Sequence, residues 1–173
     1  MDRWMGLGWL AATALGLLFG CGYHFAGSGS LPAGVSQVFI PVMENRSFET
    51  GVEQIFTNDL IDQFTRRRPE FLAESRQSAD GILMGTIVFL SVENIARSTV
   101  SSASERRITG NVNLRLTSPD GRILWSSGAI VERQTYSVAA GDDAALDPNK
   151  AAAIAAVSNK IAESAFNRLT DDF

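Results

Sequence analysis

Chemistry in a protein chain needs particular residue types at particular spacings, and this chain of 173 residues offers few of them. It has one cysteine, Cys21, and one histidine, His24, both within "LLFGCGYHFAG" at residues 17–27. A single thiol excludes an internal disulfide and a cysteine-cluster zinc site. A single imidazole leaves a histidine-rich metal site without ligands and most nucleophile–base pairs without a base. The acidic pairs Asp142-Asp143 and Asp171-Asp172 fall in a polar loop and at the C-terminus, where solvated charge accounts for them. No GxSxG, HExxH or phosphate-loop pattern is present. The expectation is a non-enzyme with no catalytic residue, no metal and no cofactor.

Cys21 remains to be explained. An apolar run from Trp4 to Phe19 precedes it, flanked by Asp2 and Arg3. That run is short for a bilayer span, which takes about 20 apolar residues, and nearer the core of a signal peptide, about 7–15. A buried core helix and a retained membrane anchor are the alternatives. Leu18, Gly20 and Cys21 resemble the bacterial lipoprotein signal: aliphatic, variable, Gly or Ala, then Cys. The resemblance implies diacylglycerol on the Cys21 sulfur, cleavage before Cys21 and acylation of the new amino terminus. Each buried CH₂ adds about 0.8 kcal/mol, so two or more chains anchor firmly without a spanning helix. Glycine at position 22, where aspartate resembles an inner-membrane retention signal, points to the outer membrane. Residues 1–20 are therefore read as a signal peptide, and 21–34, with "AGSGSLPAG", as a lipidated terminus and tether lacking regular structure. Residues 35–173 form a single domain.

The second group with chemical potential is basic. Residues 97–133 carry Arg97, Arg106, Arg107, Arg115, Arg122 and Arg133 against Glu105, Asp120 and Glu132, a net +3 within a chain of net −4. The guanidinium fork suits phosphate and carboxylate groups; a solvated strand edge blunted by charge is the plainer reading. The Arg66-Arg67-Arg68 run is read as a helix terminus rather than an anion site. Overall acidity and the lack of a binding motif argue against nucleic acid.

Regular elements must position these groups. "VSQVFIPVMEN" alternates as a strand, with Val38, Ile40 and Val42 on one face, Phe39 and Met43 on the other, and Pro41 marking an edge or bulge. From Val52 the spacing turns helical, with Val52, Ile55, Phe56, Leu60 and Phe64 in a stripe and Pro69 as the stop. "ADGILMGTIVFLSVENIA" reads as a long central strand. "ITGNVNLRLTS" puts Ile108, Val112, Leu114 and Leu116 inward, and "SPDGR" makes a tight turn around Pro119 and Asp120. The returning strand carries Ile123, Trp125 and Val131 on one face. Asp147 as N-cap and Pro148 open a final helix with Ile154, Val157, Ile161, Ala165 and Leu169 in its stripe and Phe166 beside it. The order β-α-β-β-β-α argues an α+β two-layer sandwich: a four-stranded, mostly antiparallel sheet with two helices on one face.

"CGYHFAG", "VFIPVMENRSFETGVEQIFTNDLIDQF", "ADGILMGTI" and "LTSPDGRILW" together resemble the LptE family, lipopolysaccharide-assembly lipoproteins of Gram-negative outer membranes. The resemblance implies a two-helix, four-strand domain that plugs the LptD outer-membrane β-barrel, helps it assemble and binds lipopolysaccharide during delivery to the outer leaflet. It implies no covalent chemistry. The counterparts of the family's phosphate-contacting basic residues would be Arg106 and Arg107, with Arg97 behind them. A different periplasm-facing interaction lipoprotein, such as a peptidoglycan-synthase activator, is the competing reading.

Overall fold

The computed structural model describes residues 30–97, 104–138 and 148–171. Cys21, His24, the acidic pair at 142–143 and the Asp147 cap lie outside them. Within them are strands β1 (Val38–Phe39) and β2 (Glu44–Asn45), helix α1 (Val52–Arg67), strands β3 (Gly81–Arg97), β4 (Ser104–Thr117) and β5 (Ile123–Val138), and helix α2 (Pro148–Asp171). One mixed sheet runs β1-β3-β4-β5, with β2 also on β3. β1 and β2 pair with β3 in parallel, and β3-β4-β5 is antiparallel. The expected α+β sandwich is thus observed, with one parallel edge; parallel pairing requires a crossover, which α1 supplies.

The parallel edge is a single strand broken at proline. From Phe39↔Ile82 to Glu44↔Thr86 the edge carries one residue more than β3, so a bulge falls around Pro41, which has no N–H to give the ladder. The bulge corrects the expected alternation. Val38 and Ile40 are buried as expected, but beyond Pro41 the faces exchange: Met43 is buried and Val42 is 57% exposed. The N–H of Met43 donates instead to the Thr57 hydroxyl at 3.0 Å, and that hydroxyl donates to the Glu53 carbonyl at 2.6 Å. Thr57 thereby ties α1 to the bulge.

In α1, Val52, Phe56, Leu60 and Phe64 are buried as the spacing predicts, while Ile55, expected in the same stripe, is 39% exposed. The helix ends at Arg67, before Pro69. Beyond it Leu72 bridges to Val38 and the Ala73 N–H donates to the Val38 carbonyl at 3.0 Å, covering the outer edge of β1. The turn from 118 to 121 forms as expected: the Gly121 N–H donates to the Ser118 carbonyl at 2.9 Å, with φ +89° at Gly121.

β4 keeps its predicted alternation, with Ile108, Val112, Leu114 and Leu116 all buried. β5 does not. Register shifts at Leu124 and around Gly128, the latter at φ +63°, reverse its faces twice. Trp125 packs against the core, Ile130 is fully buried, and Ile123 and Val131 are exposed, so the three residues expected on one face are divided.

α2 lays Ile154, Val157, Ile161, Ala165, Phe166 and Leu169 into the core as expected. Its approach is close: a Cβ at Gly110 would lie 2.8 Å from Val157 Cγ1. Glu49, before α1, pairs with Lys150 in the first turn of α2 at 2.5 Å, and Arg67 at the end of α1 reaches Glu163 and Asn167 of α2 at 3.0 and 2.7 Å. The helices therefore run parallel, with both amino ends at one pole of the domain. Phe64 and Phe166 meet edge to face between them, centroids 5.0 Å apart. At the other pole the chain enters through Leu31, buried in the core, and a 3-10 turn at Pro32–Gly34. The tether reading is corrected there: Leu31 has apolar neighbours to bury against, so the packed body starts four residues before Val35.

Candidate interaction surface

Helices cover one face of the sheet, and among the described residues no element covers the other. Cross-strand partners share a face, so the register assigns each row of the open face. Met84, Arg115 and Ser126 form one row; Thr86, Asn113 and Ala129 the next; then Phe89, Asn111 and Val131; then Ser91, Thr109 and Arg133; then Glu93, Arg107 and Thr135. Down the middle runs β4, presenting Arg107, Thr109, Asn111, Asn113 and Arg115, polar throughout. Apolar side chains flank it, with Met84, Phe89 and Val131 each more than a third exposed. The Oδ1 atoms of Asn111 and Asn113 are buried without a hydrogen-bond partner.

At the broken edge the open face deepens into a groove of about 370 Å³, lined by Val42, Met84, Val88, Asn113, Arg115 and the Glu44–Arg46 pair. Glu44 accepts two bonds from Arg46, at 2.9 and 3.0 Å, and a third from the Thr86 hydroxyl at 3.3 Å. The Arg46 hydrogen bond, its charge and the Thr86 bond hold the Glu44 carboxyl below its ordinary 4.5. A second hollow of about 320 Å³ lies beside Gln134, Tyr136, Asn149 and Ala153, where β5 meets the first turns of α2.

The basic candidates do not form one patch. Arg106 and Arg107 are adjacent in β4 and so leave it on opposite faces. Arg107 lies on the open face opposite Glu93, while Arg106 lies on the helix side between Asn94 and Tyr136. The Nε of Arg106 and the hydroxyl of Tyr136 are both buried and unpaired. Arg97 ends β3, its backbone in register with Ser104; its side chain lies outside the described residues. The Arg66–Arg68 run is a helix terminus: Arg67 bridges to α2 and stacks 5.2 Å over Phe166, and Arg68 pairs with Glu70 at 3.3 Å.

The alternation that turns Ile108, Val112 and Leu114 inward turns Asn111, Asn113 and Arg115 outward together, and the register places them so, although outward alternation alone does not distinguish a solvated row from a contact row. Sequence reading passed over Phe48, an exposed aromatic out of phase with strand and helix alike in "ENRSFETG". Among the described residues no cluster of His, Cys, Asp or Glu is arranged to hold a metal, and no helix is long and apolar enough to cross a membrane.

A family model described as LptE, lipopolysaccharide-assembly, matches residues 35–173. Among solved structures, the solution NMR structure of uncharacterized lipoprotein B from Nitrosomonas europaea is similar with TM-score 0.53 at 10% identity, over 78% of this chain and 83% of that one. A protein from Xanthomonas campestris gives TM-score 0.50 at 12% identity, over 82% and 85%. At such identities the likeness is one of fold. Among curated proteins none matches by sequence.

Proposed function

The chain belongs to the lipopolysaccharide-assembly family LptE, and from that membership we propose that it is an outer-membrane lipoprotein that plugs the LptD β-barrel, assists its assembly and takes part in lipopolysaccharide insertion at the outer leaflet. The observation that carries the reading is the family match over residues 35–173. A sheet face that mixes exposed Met84, Phe89 and Val131 with Arg107 and Arg115 supports it, because an exposed apolar surface of this kind suits a partner wall. In this reading residues 1–20 are removed, Cys21 carries the acyl chains, palmitate among them, and a short tether leads into the packed body. The protein acts by occupancy and binding, not by covalent chemistry.

Lipopolysaccharide phosphates are assigned to Arg106, Arg107 and Arg97. Because Arg106 and Arg107 leave β4 on opposite faces, one flat headgroup engages one of them. Arg107→Ala and Arg106→Ala should then lower lipopolysaccharide capture unequally, whereas equal losses would argue against a single headgroup site.

The deciding experiment isolates the tagged full chain from outer membrane in mild detergent and identifies what accompanies it by mass spectrometry. LptD recovered near one to one is expected, and recovery of the chain alone overturns the reading. Intact mass in the same sample should show a mature form that begins at Cys21 and carries lipid.

A further inference from the structure

The sheet has two edges, and they are closed differently. On the β1 side Leu72 and Ala73 cover Val38, and the Met43 N–H is taken by Thr57. On the other side β5 pairs only with β4. From Ala129 to Val138 that pairing runs without a shift. In an antiparallel ladder the N–H and C=O of one residue point to the same side, and the side alternates along the strand. The carbonyls of Ala129 and Ser137 accept from Arg168 and Asn149 of α2 at 3.1 and 2.9 Å, so the odd-numbered residues turn their backbone outward. Between these two capped positions lie Val131, Arg133 and Thr135, all exposed. The Thr135 carbonyl accepts from the Gln134 carboxamide at 3.1 Å. Among the described residues nothing on that side bonds the three N–H groups or the Val131 and Arg133 carbonyls. The open window, residues 131–135, has the length of a short strand.

The window has a pocket beside it. The hollow of about 320 Å³ between β5 and α2 borders Gln134 to Ser137, where Ala152, Ala153 and Ala156 leave space above the strand. Tyr136 lines it, 7% exposed, with its hydroxyl buried and unpartnered. An extended segment added to the edge would turn alternate side chains to the helix side, and the hollow takes one of them. Charge narrows the occupant. Arg133 has no partner among the described residues, Lys160 of α2 reaches only the neutral Gln134 amide at 3.0 Å, and Glu132, bonded by Ser164, is the one anion on the window or on the stretch of α2 beside it. The balance of one positive charge is met by an acidic residue on the added strand. A second copy of this chain is disfavoured, because antiparallel pairing centred on the window sets Arg133 against Arg133, and like charges directly opposite destabilise a strand pair.

We propose that the β5 edge at residues 131–135 accepts an extended, acidic segment of the barrel partner as an added strand, with one of its side chains seated in the hollow against α2. This rests on the barrel reading above. Thr135→Pro removes an outward N–H without touching the β4 ladder, so it should keep a melting temperature near that of the parent, whereas Gln134→Pro, which removes a ladder bond, should lower it. Thr135→Pro should recover about tenfold less barrel in mild detergent. Lys160→Glu, an exposed change that leaves the backbone alone, should lower recovery as well. A photoreactive phenylalanine analogue at position 135 of the full chain in cells should crosslink to the barrel, in a peptide that contains Asp or Glu. Crosslinks to lipid or to a second copy, or none, overturn the assignment. Undiminished recovery by both variants while the parent recovers barrel refutes the added strand alone; failure of the parent to recover barrel refutes both readings.

Discussion

Asn45 is the residue on which the most local order converges, since one carboxamide serves two donors and two acceptor bonds around the start of α1. A bond from the Glu53 backbone N–H, and secondly the Asn45 amide, hold the Glu53 carboxyl below its ordinary 4.5. A carboxylate with a lowered folded value stabilises the fold fully above its unfolded pKa and loses that contribution as pH falls through the folded value. Asn45→Ala should therefore move the Glu53 midpoint up toward 4.5, as read by carbon-detected NMR titration, and shift the acid limb of the stability curve to higher pH. An unmoved midpoint would mean that the backbone bond alone sets it. Leu114 tests burial in the same direct way. It is 1% exposed on the inward face of β4, so Leu114→Asp should cost several kcal/mol in urea unfolding. A variant as stable as the parent would contradict the register of the meander.

For the elements, the informative comparison is between two glycines that admit a neighbour into the sheet. A Cβ at Gly110 would meet Val157 and Ile161, branched side chains fixed on α2, at 2.8 and 3.3 Å. A Cβ at Gly85 would meet chiefly Met43, at 2.7 Å, an unbranched chain that can turn aside. Gly110→Ala should thus cost about 1–3 kcal/mol by overpacking, and Gly85→Ala distinctly less. Equal costs in parallel denaturant titrations would show that α2 rides over the sheet more loosely than its contacts indicate. The edges of the sheet are managed by the same helix and its linkers. Arg168 donates to the Ser127 and Ala129 carbonyls at 2.9 and 3.1 Å, and Asn149 to that of Ser137 at 2.9 Å, which blunts β5 as a template for stray pairing.

Across the whole molecule, the two helices are joined at both ends by side chains that meet only in the folded state. Arg67 binds Glu163 and Asn167 at partly exposed positions and lies over the buried Phe166 ring. Arg67→Ala should lower stability by about 1 kcal/mol, a screened surface pair plus a cation–π contact. A larger loss would assign the arginine a structural role beyond its bonds. The proposed lipid anchor is tested at this scale too: Cys21→Ser should leave the melting temperature of the domain unchanged and shift the chain from the membrane to the soluble fraction. Retention in the membrane would transfer anchoring from the thiol to the apolar run before it.

Much of this was legible in the chain itself. The periodicities of β4, α1 and α2 survive folding almost residue for residue, because each element buries one continuous face and a single phase suffices. Pro69, Pro148 and the Pro119–Asp120 turn punctuate the structure where their backbone chemistry requires. Three things were decided only in three dimensions. Bulges at Pro41, Leu124 and Gly128 exchange the faces of β1–β2 and β5, since one extra residue reverses every side chain beyond it and pairing alone determines where that residue fits. Adjacent arginines that read as one basic patch are set on opposite faces by the pleat. The exposure of Phe48 follows from hydrogen bonds that reach from Asn45 to α1 and from Glu49 to α2, contacts between segments as much as 101 positions apart, which no local pattern encodes.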